Sequence, residues 1–315
     1  MKRKRNNVLI MNTSTDLDFA YTGESVDGVL NLDIEPERLD EDLQNLIDEA
    51  YLRYYGSSYD FELGFMKVVW GKGDQVHVVD VLNSNDYTDF YNPDYIDRRT
   101  AVPITKFNFY VGQQGKFEVA YVPTFTADNI PTDTRWAPQE ARAAAELAER
   151  YTGYLATQAY NAAYAATGEE AQGSIAATSL LAEYSDGEKL YPNTDTLEYG
   201  QAAVRFTNSF SGIDFGAMYY FGYRKQPSVQ PTYADPTDPS SPVVDLDIDY
   251  DRQHIFGLEA GAAPAGFNLR AEAAYYMTDD SEGDDPAVHN HSIQYLGGFD
   301  RDLPLHNTNI NIQAV

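Results

Sequence analysis

Lys72, Asp74, Asp80, Asn83, Asp86, Arg98 and Arg99 crowd into one polar stretch, residues 71–103. Acidic and amide groups facing cations across a gap set up a transverse field, which orients a polar solute without reacting with it. The same groups could equally hydrogen-bond among themselves in a loop that caps whatever lies beneath, and the sequence leaves both uses open. A second cluster, Asp279, Asp280, Glu282, Asp284 and Asp285, precedes His289-Asn290-His291, and Asp245, Asp247, Asp249 and Asp251 alternate along one strand face. Oxygen and imidazole donors of this kind bind Ca²⁺ or a transition metal, with Asp284, His289 and His291 as the candidates. EF-hand spacing is missing, so the expectation is a solvated acidic loop and no metal. No G-x-S-x-G or comparable nucleophile context surrounds any serine. The reading is therefore of a non-enzyme, with no catalytic residue and no cofactor.

The elements that must position these groups follow a strict rhythm. Stretches of period-two alternation arrive in pairs, each pair joined by a tight turn and followed by a long polar excursion. The tight turns read Gly56-Ser57-Ser58, Gly112-Gln113-Gln114-Gly115, Ser211-Gly212, Ala263-Pro264-Ala265-Gly266 and Asp300-Arg301-Asp302. The long connections are residues 71–103, 124–196, 225–247 and 279–290. Short turns at one rim and long loops at the other are the pattern of an all-β, antiparallel up-and-down transmembrane β-barrel.

Each ribbon has an apolar and a charged face. Phe107, Phe109 and Val111 alternate with Lys106, Asn108 and Tyr110, and Phe117, Val119 and Tyr121 with Lys116, Glu118 and Ala120. Val204 and Phe206 oppose Arg205 and Thr207; Ile213, Phe215, Ala217 and Tyr219 oppose Asp214, Gly216 and Met218. Further on, Phe256, Leu258 and Ala260 oppose Glu259, and Phe267, Leu269, Ala271 and Tyr275 oppose Asn268, Arg270 and Glu272. Lys106, Lys116, Glu118, Arg205, Asp214, Glu259, Arg270 and Glu272 are thus the residues expected to face a lumen. A soluble sandwich buries one side too, so alternation does not decide. Length does: these ribbons run on the order of ten residues, enough for a tilted bilayer span, whereas soluble strands average about five or six.

Twelve strands can be counted, including 17–23, 26–34, 50–55 and 59–70 near the start, with Trp70 closing its strand at an aromatic belt. The first runs toward a short turn and the twelfth leaves one. Bacterial barrels have an even strand number, with both ends at the short-turn rim, so the expectation is a chain truncated at both ends and fourteen or more strands in the whole. A barrel that wide is expected to hold water rather than to fill with side chains. Residues 36–48 read as a short amphipathic helix. Residues 138–167 give the strongest helix signal: Pro138 at the start, a stripe of Ala144, Leu147, Ala148, Tyr151 and Leu155, a Glu146 to Arg150 pair, and Gly168 as the stop. A second helix is expected over 174–184, so residues 125–195 form a helical loop insert within a single domain of 315 residues.

Composition narrows the partners. The chain carries 22 Lys plus Arg against 49 Asp plus Glu, a formal charge of -27, which would repel nucleic-acid phosphates. Cysteine is absent, as suits an exported chain without disulfides. Tyrosine numbers 25, in keeping with an interfacial girdle. No run nears the roughly 20 apolar residues of a spanning helix. The start, Met1-Lys2-Arg3-Lys4-Arg5, is like the head of a secretory signal, yet the apolar run after it ends at Met11; either a signal is missing, or the segment is a solvated tail.

The stretch 63–131, with Trp70-Gly71-Lys72-Gly73-Asp74, Asp80-Val81-Leu82-Asn83, Asn85-Asp86-Tyr87, Val102-Pro103 and Tyr121-Val122-Pro123-Thr124-Phe125, resembles a family of porin-like outer-membrane barrel proteins of diderm bacteria. Gly297-Gly298-Phe299-Asp300 followed by Leu303-Pro304 is similar to a later hairpin of that family. Asn83-Ser84 departs from it, where the family tends to have Asn-Pro. The resemblance implies a barrel in the bacterial outer membrane and no particular reaction or solute. Taken together, the expectation is a channel that passes small polar solutes, with membrane lipid and those solutes as partners. The rivals are a structural or surface-interaction barrel with acidic outer loops, and a secreted soluble β-protein. Oligomeric state and selectivity are not written in the chain.

Overall fold

The computed structural model describes residues 15–34, 46–88, 95–132, 134–185, 187–303 and 308–315. Twelve strands form one antiparallel meander in which every strand pairs with its neighbour in the chain, apart from one hairpin that stands aside. In order they are β1 (Thr15–Thr22), β2 (Val26–Ile34), β3 (Ile47–Tyr55), β4 (Tyr59–Met66), β5 (Val102–Val111), β6 (Gly115–Val122), β7 (Gln201–Phe210) and β8 (Ile213–Tyr223). The meander continues with β11 (Arg252–Ala262), β12 (Asn268–Thr278), β13 (Ser292–Leu303) and β14 (Thr308–Ala314). β9 (Ser228–Tyr233) and β10 (Val243–Asp249) pair only with each other. Among the described residues β1 and β14 do not pair, so the sheet is not closed.

The outer face is the apolar one. Leu258 is 63% exposed, Tyr295 69% and Ile293 70%, and Phe107, Phe109, Phe117, Phe215 and Phe256 are exposed with them. The opposite face holds the buried residues. Residues 67–86 leave the end of β4 and lie against it, contributing Val68, Trp70, Val78, Val79, Val81 and Leu82 to a core with Ile104, Ala120, Ala203, Met218, Ile255, Ala274 and Leu296. A single segment meets β5 through β13 on one face only because the sheet curls around it. The expected water-filled interior is, on that side, packed.

Several expectations change. Trp70 does not close a strand: β4 ends at Met66, and Trp70 sits in the core, 1% exposed, with the Arg205 guanidinium 5.6 Å from its ring. Asp300, Arg301 and Asp302 are not a turn but lie inside β13, because Asp300 accepts hydrogen bonds from Asn268 on β12, 2.7 Å, and pairs with Arg270. Ile47 and Asp48 begin β3 rather than ending a helix; residues 36–45 and the basic start lie outside the described residues. The connection expected over 225–247 carries the β9–β10 hairpin and runs past it, with Asp245, Asp247 and Asp249 on the exposed face of β10 and Asp251 beyond the strand.

The insert between β6 and β7 carries α1 (Gln139–Thr167), which stops at Gly168 in a left-handed cap, and α2 (Glu170–Glu183), which starts four residues ahead of expectation. Leu147, Ala148 and Tyr151 pack on Val243, Leu246 and Ile248 of β10. Arg150 does not pair with Glu146: it donates to the carbonyls of Pro239 and Ser241, 2.8 and 2.6 Å, and lies 5.4 Å from the Tyr233 ring. The helical insert is therefore fastened to the neighbouring long connection. No described helix is long and apolar enough to cross a membrane.

Candidate functional site

Strand register builds an ionic ladder on the inner face. Arg53 lies opposite Glu62 and Glu62 opposite Lys106; Arg53 and Lys106 reach the Glu62 carboxylate at 3.1 and 3.2 Å, and Asn108 donates to it at 2.7 Å. Further along, Lys116 and Arg205 pair with Glu118 at 2.9 and 3.1 Å, and Arg205 also pairs with Glu259 at 2.5 Å. Arg205 is on β7 and Glu259 on β11, so this last pair spans β8. It can do so because β8 has Gly216 there, where a Cβ would stand 2.6 Å from a Glu259 oxygen. Glu259 lies directly opposite Glu272, an arrangement that is destabilising unless each charge is met separately.

Glu272 is met by the crossing segment. Its Oε1 accepts from the backbone N–H of Lys72 and Gly73, both 2.6 Å, and contacts His77 Nδ1 at 3.2 Å. Its Oε2 accepts from the N–H of Val78 and Val79 at 2.8 and 3.3 Å. The wrap requires Gly71, whose φ is +111° and whose missing side chain would collide with the carboxylate. Tyr276 adds a hydrogen bond to the Val78 carbonyl at 2.7 Å, and Gln313 on β14 accepts from Asp74 N–H at 3.0 Å while donating to its carbonyl at 2.9 Å. At the root of the segment Asn83 accepts from Val68 N–H, 2.8 Å, and donates to the carbonyls of Met66 and Thr100, both 2.9 Å.

The seven residues expected at a constriction do not form two facing rows. Asp80 and Arg99 meet in a buried ion pair; burial pushes the Asp80 carboxyl up to about 6, against the pull of Arg99. Asp74 reaches the wall, 3.7 Å from Arg270 and bonded to Asn311, and Lys72 reaches Asp214 at 3.6 Å. Asn83 is the clamp just described. Asp86 accepts from Thr88 and Asn129 and donates its N–H to the Arg98 carbonyl. The expected lumen residues Lys106, Glu118, Arg205, Glu259, Arg270 and Glu272 are on the inner face, and so is Asp214, which shares the side of Gly216 and Met218 on β8 with its side chain about half exposed.

Above the core, Lys225 lies 4.8 Å from the Phe125 ring centroid, with its Nζ 3.2 Å from Gln201 Oε1 and 3.4 Å from the Leu82 carbonyl. Burial lowers its amine to about 8. Neither His77, Gln313 nor Lys225 was foreseen as part of a site. The inward alternation of β14 marks Gln313; nothing local marks the other two.

Asp284, His289 and His291 do not converge. His289 bonds Asp251 at 2.5 Å, while His291 contacts the Thr278 carbonyl at 3.0 Å and the Tyr275 hydroxyl at 2.8 Å. No group of three metal-binding side chains occurs among the described residues.

No protein-family model and no curated protein matches the chain. Among solved structures it is similar to the outer membrane channel DcaP of Acinetobacter baumannii, at 11% identity and a TM-score of 0.36, over 92% of this chain and 62% of that one. The chain thus spans less than two thirds of the length of that protein.

Proposed function

We propose that the chain forms the wall of a channel in the bacterial outer membrane, through which small polar solutes pass by size and by the field of the inner face. One observation carries this reading: the apolar outer face runs across the whole meander and no described element covers it. Soluble monomers rarely expose a contiguous apolar patch above a few hundred Å², whereas a lipid-facing band demands one. A secreted soluble β-protein would need a second layer over that face, and no described element supplies one.

The aqueous path would lie beside the crossing segment, whose buried core among the described residues takes in no side chain of β1 or β2. Register turns Asp16, Asp18, Asp27, Asn31 and Arg53 to the inner side there, and these residues are exposed or half-buried. The test is single-channel recording in a planar bilayer together with gel mobility before and after boiling. Discrete ohmic steps and heat-modifiable mobility are expected; a heat-modifiable protein that never conducts would favour the surface-interaction barrel, to which the packed core beneath residues 67–86 lends support.

A further inference from the structure

A cavity of about 300 Å³ opens where β7, β8, β11 and β12 meet the long connections, and no residue of the crossing segment lines it. Tyr199, Tyr223 and Tyr250 line it, backed by Phe125, which lies 4.8 Å from Tyr250 and 5.6 Å from Tyr223 between ring centroids. Tyr199 and Tyr223 are themselves 4.7 Å apart.

Four carboxylates line the same cavity against one guanidinium. Asp251 is engaged by Ser228 and His289, but Glu198, Asp249 and Asp279 form no ion pair among the described residues. The tyrosine hydroxyls bring no positive charge to this balance, nor does the Tyr250 N–H that donates to Asp249 at 2.7 Å. Tyr199 donates to Asp249 at 3.3 Å and Tyr223 to the Glu198 carbonyl at 3.0 Å. What remains for a ligand is carboxylate oxygen, the open part of the half-buried Tyr199 ring and the rims of Tyr223 and Tyr250, which are 5% and 8% exposed. Carboxylate and ring both attract a cation, and the same aromatic group already holds two: Arg252 stands 5.4 Å from the Tyr223 centroid and Lys225 4.8 Å from Phe125.

We propose that this cavity binds an organic cation, an alkylammonium or guanidinium group, against Tyr199 and the rims of Tyr223 and Tyr250, with its charge met by Glu198, Asp249 and Asp279. A neutral sugar would stack on the same rings but leave the carboxylates uncompensated.

Calorimetric titration of the detergent-folded full chain with tetramethylammonium chloride tests this, with glucose and potassium acetate as controls. Saturable binding of tetramethylammonium is expected, weakened about tenfold by Tyr250→Leu through loss of one ring and by a smaller factor in Asp279→Asn. Asp279 is exposed, so that variant probes the site without disturbing the aromatic packing. Absence of saturable binding to the unaltered chain, binding that neither substitution weakens, or saturable binding of glucose in place of the cation would each overturn the proposal. The readout needs no conductance, so a chain that conducts without binding overturns this inference alone, and one that binds without conducting overturns the channel reading alone.

Discussion

Replacing Glu272 by glutamine keeps the shape of the side chain, and should nevertheless undo the docking of residues 72–79. Both carboxylate oxygens act only as acceptors: one serves Lys72 N–H, Gly73 N–H and His77, the other Val78 N–H and Val79 N–H. A glutamine amide offers one acceptor, and its NH₂ must point at one of the two donor pairs. Two buried N–H groups are then left facing another donor. Hydrogen bonds to a charged acceptor contribute about 1.5 to 3 kcal/mol each, and an orphaned buried donor costs about 1 to 3 kcal/mol. The pairs share one carboxylate and are not additive, so about 3 kcal/mol is a fair total. At about 1.4 kcal/mol per decade, the amides of residues 72, 73, 78 and 79 should exchange with solvent roughly a hundredfold faster in Glu272→Gln. Hydrogen exchange with mass spectrometry in detergent reads this directly, and single-channel conductance should rise as the segment leaves the wall. Unchanged exchange across 72–79 would refute the reasoning, whatever the conductance does.

Three shorter tests address the wall, the roof and the outer face. Gly216→Val should cost about 1 to 3 kcal/mol by driving Glu259 off Arg205, seen as a lower melting point of the heat-modifiable form. Lys225 has a folded-state amine near 8, below the ordinary 10.5. Between those values the unfolded chain holds the proton and the folded one does not, so stability should rise as pH climbs through that window, by up to roughly 3 kcal/mol, and Lys225→Met should flatten the profile in urea titrations. Leu258→Lys sits mid-strand on the outer face; in lipid vesicles it should cost about 2 to 4 kcal/mol, against about 0.5 kcal/mol or less for an ordinary solvated surface, and a cost at the lower figure would exclude lipid contact.

The meander was legible because two signals coincide in it. Charged residues share one parity and large apolar residues the other on nearly every strand, so face and strand are read together. α1 was legible for a similar reason: its apolar stripe and Gly168 agree. The alternation of Asp245, Asp247 and Asp249 along β10 was legible, but β9 and the hairpin were missed, since Pro231 and the surrounding turn residues read as loop. Trp70 was misplaced because aromatic character predicts an interface only when the backbone is a strand, and the Asn83 clamp ends that strand early by capturing Met66 and Val68. The polar stretch 71–103 was recognised as important, but its partners on the wall, Glu272 and Gln313, were not. Glu272 is about two hundred residues away along the chain, and contacts of that range leave no local trace.

The inner wall and the crossing segment specify each other, and this can be shown by a change of sign. On the wall, Glu62, Glu118, Glu259 and Asp300 each have an Arg or Lys within ion-pair reach, but Glu272 lacks one among the described residues. Its charge is compensated by backbone N–H groups and His77, all from the segment. Residues 72–79 can be replaced by a short Gly-Ser linker from Gly71 to Asp80, whose side chain already accepts from Trp70 N–H at 3.2 Å. That replacement leaves Glu272 opposite Glu259 without its donors, a like-charge neighbour that is destabilising by about 1 kcal/mol once water reaches the vacated face. In that background Glu272→Gln removes the repulsion and should stabilise, whereas in the intact chain it destabilises. A double-mutant cycle on unfolding in urea reads the difference as a coupling energy. If Glu272→Gln shifts stability by the same amount with and without the segment, the wall carries its charges independently and the mutual dependence is wrong.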